Sequence, residues 1–140
     1  RFGMRLGEVI EVAQLLLDGN QVDFLDMSLW DSFKKPEDDK FGDRPLLDWF
    51  TALDRGDTRL GVAGMIRTPA DAQYCLDAGV DFVLLGRTAI LHHDYPLQVR
   101  ANPGFEPASL PVSRHYLHSQ GLGERFIEYM MRWEGFVSDS

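Results

Sequence analysis

The sequence predicts an α/β fold of parallel strands, on three observations. Short apolar runs without alternation, Phe82 to Leu85 above all, fit strands covered on both faces. Stretches with helical spacing separate those runs. Between Gly61 and Arg87, in GVAGMIRTPADAQYCLDAGVDFVLLGR, a strand, a capped helix and a second strand follow one another as a β-α-β unit. A right-handed crossover puts the C-terminal ends of its two strands side by side on one rim.

From the start of the chain, Leu6, Val9, Ile10, Ala13, Leu16 and Leu17 recur at helical spacing, and Gly19 with Asn20 supplies the stop. Val22 to Met27 reads as a strand whose end carries Asp26, Ser28, Trp30 and Asp31 to the rim. In Phe33 to Arg44 the basic residues Lys34, Lys35, Lys40 and Arg44 cancel Glu37, Asp38, Asp39 and Asp43, with Pro36 and Gly42 between. That pattern predicts a mobile strand-to-helix loop, with a lid as its functional alternative. Pro45 opens a helix through Leu46, Leu47, Trp49, Phe50 and Leu53 that ends at Arg55-Gly56.

The next strand runs from Arg59 to Ala63, and Gly64 permits a tight turn or the close approach of a ligand. Thr68 is a good N-cap, Pro69 fits the first helical position, and Asp71 favours the helix dipole. Ala72, Cys75 and Leu76 form the helix's apolar stripe, and Gly79 suits its left-handed closing residue. Val80 leads into the strand Phe82 to Leu85, which ends in Gly86-Arg87. Ala89, Ile90 and Leu91 begin a short helix, and Pro96 to Pro111 reads as irregular. From Gly123 to Phe136, with Phe126, Ile127, Met130, Trp133 and Val137, an amphipathic helix is expected, packed on its own chain or against a second copy.

The chemistry concentrates where strands end in glycine. Backbone N–H groups at Gly64 and Gly86 are phosphate donors, and Arg87 adds a guanidinium fork. The bland alternative is two turn glycines and a surface charge. Ser28 either borders a ligand or satisfies loop backbone. Asp26 and Asp31 lack the spaced carboxylates and glycine turn of an oxygen-ligand loop. Neighbouring His92 and His93 point in different directions, so no metal site is expected. Cys75 lies on an apolar helix face as a small core residue.

The 140 residues include 14 basic and 22 acidic side chains, a net charge of −8 with no basic stripe, which argues against nucleic-acid binding. No apolar run of about 18 residues offers a membrane span. A single cysteine fits a reducing, cytoplasmic setting.

The same residues resemble the C-terminal FMN-binding region of the old yellow enzyme family of NAD(P)H:flavin oxidoreductases. The resemblance covers about Leu6 to Leu97 and rests on the glycine turn, the Thr-Pro helix, the Asp81-x-Val-x-Leu-Gly-Arg strand, the Asp-Tyr-Pro-Leu segment, and Val22 to Ser28. It implies a fold: about strands six to eight, with helices, of a (β/α)8 TIM barrel, plus a C-terminal helical tail. Residues 1–100 would then be barrel and 101–140 an irregular segment and amphipathic helix. Since such a barrel takes roughly 250 residues, the chain is expected to be the C-terminal portion of a larger protein. The resemblance further implies FMN as cofactor, NADH or NADPH as reductant and an activated alkene as substrate, in a homo-oligomeric ene-reductase. Gly64, Met65, Gly86 and Arg87 map onto FMN phosphate contacts; at Met65 many members carry glycine. No catalytic residue is assigned, because the family's catalytic residues lie upstream of this region. Two other functions stay open: another phosphate-binding barrel enzyme without flavin, and a noncatalytic fragment that only folds and associates.

Overall fold

Three strands, β1 (Phe24–Ser28), β2 (Arg59–Ala63) and β3 (Phe82–Leu84), pair in parallel in the order β1-β2-β3 of the computed structural model, which describes residues 3–138. Their register aligns Ser28 with Ala63 and Ala63 with Leu84, so all three C-terminal ends stand on one rim. The expected mixed α/β architecture with parallel strands is therefore present, with seven α-helices among the described residues. The helices are α1 (Leu6–Asp18), α2 (Leu46–Thr51), α3 (Pro69–Asp77), α4 (Arg87–Leu91), α5 (Tyr95–Ala101), α6 (Arg114–Ser119) and α7 (Glu124–Met130).

The described chain forms two compact units. The first runs to Ile66 and resumes over Asp71–Leu84; the second takes Arg67–Ala70 and the chain from Leu85 onward.

In the first unit the sheet separates its residues by face. Leu60 and Val62 are fully buried and Met27 nearly so, whereas Phe24, Asp26 and Ser28 alternate outward and are exposed. On that open face Phe82 leans across β2 to meet Phe24 edge-on at 5.8 Å. Gly61 makes this possible, since a Cβ there would collide with the Phe82 ring. α1 buries Ala13 and Leu17, while Leu16, assigned to its apolar stripe, is 46% exposed. Its stop differs in detail from the expectation: Gly19 keeps helical φ, and Asn20 takes the left-handed one at +47°. α2 contributes buried Leu47 and Phe50. α3 begins at Pro69, directly after Thr68, and its part from Asp71 onward, which belongs to this unit, contributes Cys75, fully buried as expected; burial pushes its thiol pKa up. Gly79 closes the helix at φ +104°, the left-handed residue its position required.

At the strand starts, Asp81 ties β2 to β3. Its carboxylate accepts from the Leu60 N–H at 2.7 Å and from Arg55 Nη1 at 2.7 Å, while Arg55 Nη2 donates to Gly79 O. The Leu60 N–H first, then the Arg55 guanidinium, hold the Asp81 carboxyl below the usual carboxylate range.

The second unit has its own core of Leu91, Val112, Leu117, Ile127, Met130 and Phe136. Three local expectations change here. The strand end is shorter by one residue, and Gly86-Arg87 opens α4. Within the segment expected to be irregular, α5 forms because Pro96 sits in a first turn, where its missing N–H costs nothing. The tail helix stops at Met130; Gly135 then takes φ +71°, the chain reverses, and Val112 N donates to Phe136 O at 3.0 Å. Phe136 thereby becomes a buried core residue rather than the end of a helix.

Candidate functional site

The exits of β1 and β2 are built as one structure. Leu29 N donates to Ala63 O at 2.9 Å, extending the parallel ladder beyond β1, and Ser32 N donates to Gly64 O at 3.1 Å. Gly64 has φ +150°, and a Cβ there would lie 3.0 Å from Asp31 N and from Ser32 Oγ, so glycine is required by both backbone and packing. Met65 follows at φ +55°, the left-handed conformation that glycine adopts without strain. The methionine thus occupies a glycine-shaped backbone. Gly64 and Met65 stand together at the end of β2, as the sequence implied.

Gly86 and Arg87 stand together at the start of α4. Gly86 has φ −95°, and nothing lies within 4 Å of the position its Cβ would take. Its ψ of −94° is neither helical nor extended. Arg87 is half-buried at the first position of α4 and is held by an interaction of its own, so it is not a free cation.

Two residues of the β1 exit carry features that sequence reasoning did not reveal. Trp30 lies at φ +62° and is 82% exposed. Ser32 is fully buried, and its Oγ has no hydrogen-bond partner. The sequence carried Trp30 to the rim but gave no sign of its backbone, because no glycine or Asn-Gly pair marks that turn. Nothing in the sequence distinguishes Ser32 from Ser28, which is exposed at the strand end. Asp31 Oδ1 accepts from Phe33 N at 2.9 Å and so caps the turn. The loop that follows is not featureless: a 3₁₀ turn spans Asp39–Phe41, and Phe41 packs edge-on against Trp49 at 5.1 Å.

A cavity of about 570 Å³ lies elsewhere, at the opposite rim, where Asp23, Asp57 and Arg59 surround the strand starts beside Phe24 and Phe82. It is open and of mixed charge, and it contains none of the expected phosphate contacts, so we place the candidate site at the strand ends.

In the second unit His92 is buried and fully engaged. Ala108 N donates to its Nε2 at 2.9 Å, so the ring proton belongs on Nδ1, which faces Tyr116 Oη at 3.2 Å. Tyr116 O–H donates to Leu91 O at 3.0 Å. Burial lowers the His92 pKa, against the opposing charge of Asp94, and burial raises that of Tyr116. His93 turns away to Gln120, and among the described residues no group of three or more His, Cys, Asp or Glu is placed to hold a metal. Among the same residues no helix is long and apolar enough to cross a membrane.

No protein-family model matches this chain, no curated protein matches it, and no solved structure matches its fold.

Proposed function

We propose that this chain is the phosphate-holding part of an FMN-dependent NAD(P)H oxidoreductase of the old yellow enzyme type, its three parallel strands corresponding to about strands six to eight of a (β/α)8 barrel. The observation that carries this reading is the β2 exit: Gly64 and Met65 both take positive φ at the end of a parallel strand, where backbone N–H groups can be turned toward an anion. In this reading Gly64, Met65 and Gly86 offer backbone donors and Arg87 a guanidinium. Bound FMN would supply hydride exchange between NADH or NADPH and an activated alkene. The chain's own part is to bind and orient the phosphate end. The catalytic side chains belong to other parts of the protein. A cytoplasmic setting and a homo-oligomer belong to the same proposal; the exposed aromatic stripe Phe126, Tyr129 and Trp133 on and just beyond α7 favours contact with a second copy.

The test is FMN affinity. Arg87→Ala is expected to weaken FMN by roughly 1.5–3 kcal/mol, the scale of a charge-assisted hydrogen bond, and Arg87→Lys to recover only part of that loss. Unchanged affinity in fluorescence titration rejects the assignment. A visible spectrum of the purified protein separates flavin from a phosphate ligand of another kind.

A further inference from the structure

Among the described residues Trp30 is the most exposed large apolar side chain, and it stands in one of the least favourable backbone conformations. Asp31 N donates to Leu29 O at 2.7 Å, which closes a three-residue turn around Trp30 at φ +62°. That turn is rare and strained for any residue with a Cβ. It is imposed from both sides, by Leu29 N on Ala63 O and by Ser32 N on Gly64 O. Glycine would hold the same turn at lower cost. With 82% of its surface in solvent, the indole recovers almost nothing by burial. Neither packing nor backbone explains a tryptophan here, and strain of this kind concentrates at ligand sites. Ser28, two residues upstream at the end of β1, is exposed and offers a hydroxyl at the same rim. An indole has an electron-rich, negative π face, which favours a ring poor in electrons.

We propose that Trp30 is a stacking platform for a flat, electron-poor heteroaromatic ring bound at the C-terminal rim of β1 and β2, with the Ser28 hydroxyl available to the ring's polar edge. Such a ring is found in a flavin and in an oxidised nicotinamide. The inference goes beyond the phosphate reading and does not rest on Arg87, because stacking needs no phosphate.

The experiment therefore uses rings without one. Lumiflavin and 1-methylnicotinamide are titrated separately by equilibrium dialysis into the wild-type protein, Trp30→Phe and Trp30→Gly, and the melting temperature of each protein is recorded. Stacking predicts that Trp30→Phe binds within about threefold of wild type and that Trp30→Gly binds about tenfold more weakly. It also predicts that Trp30→Gly melts higher, since the strain is gone. Binding of lumiflavin alone identifies the ring as a flavin, and binding of 1-methylnicotinamide alone identifies it as the reductant's; each supports the platform. The inference is overturned if neither ring binds wild type, if Trp30→Gly binds as well as wild type, or if it melts lower, which would make Trp30 a structural residue. An Arg87→Ala variant with unchanged FMN affinity would remove the phosphate assignment and leave this result standing.

Discussion

Ser32 in the first unit and His92 in the second are both buried polar side chains, and they are treated in opposite ways. His92 has a partner for each ring nitrogen, and the chain Ala108, His92, Tyr116, Leu91 leaves none of the four groups short of a bond. Ser32 has an orphaned hydroxyl. Beside it are Trp30 and Met65, two of the three non-glycine residues with positive φ among the described residues; the third, Asn20, is in the same unit. A satisfied buried network rigidifies and specifies a fold, whereas an orphaned buried hydroxyl costs stability and backbone strain concentrates at ligand sites. The comparison teaches that the His92 network is architecture and the β1–β2 exit, with its positive-φ Trp30 and Met65, is a place shaped for something else.

The largest expected effect tests the architectural side. His92→Ala removes a ring packed edge-on to Phe105 at 5.0 Å and leaves the Ala108 N–H without its acceptor. Adding a cavity term to an unsatisfied buried donor gives a cost of about 3–4 kcal/mol. A shift in urea midpoint of that size checks it. A loss below about 1 kcal/mol would show the network to be ornamental.

A smaller effect comes from protonating the same ring. The second proton must go on Nε2, where the Ala108 N–H already points. Burial lowers the folded His92 pKa, so between that lowered value and about 6.5 the unfolded chain binds more protons than the folded one. Stability is fully present above about 6.5 and is lost as pH falls from there toward the folded pKa. The lowered carboxyls of Asp81 and Asp94 act in a separate window, below their ordinary values near 3.8. Urea midpoints measured from pH 7.5 to 4.5 are expected to decline, and His92→Gln to flatten the decline.

Much of this organisation was legible in the sequence, for identifiable reasons. Strands β2 and β3 showed because apolar runs bounded by glycine have few other solutions, and α3 because Thr68-Pro69 and Gly79 mark its two ends with chemistry that acts locally. Gly64 showed because its backbone demand is local too. The jobs of Asp81 and His92 did not, since each is defined by partners more than fifteen residues away in sequence, Leu60 and Arg55 for one and Ala108 and Tyr116 for the other. Ser32 was invisible for the same reason, as its burial depends on Gly64 across the rim. The helical tail was overextended because Phe136 falls at helical spacing, while Gly135 and the pairing to Val112 turn it inward.

The smallest effect is the sharpest, because one substitution made in each unit should change sign. Ser113 caps α6: its Oγ accepts from the Tyr116 N–H at 3.1 Å. Ser113→Ala strips that cap and is expected to cost about 1 kcal/mol. Ser32→Ala removes a hydroxyl that is desolvated and unpaired, and the methyl that remains fits where the Cβ already sits. Relief of the desolvation penalty is therefore expected to stabilise the protein by about 1 kcal/mol. Thermal unfolding of the two variants side by side reads both signs. If Ser32→Ala destabilises as Ser113→Ala does, the Ser32 hydroxyl has a structural partner in solution, and the contrast between the satisfied His92 network and the β1–β2 exit fails at its central residue.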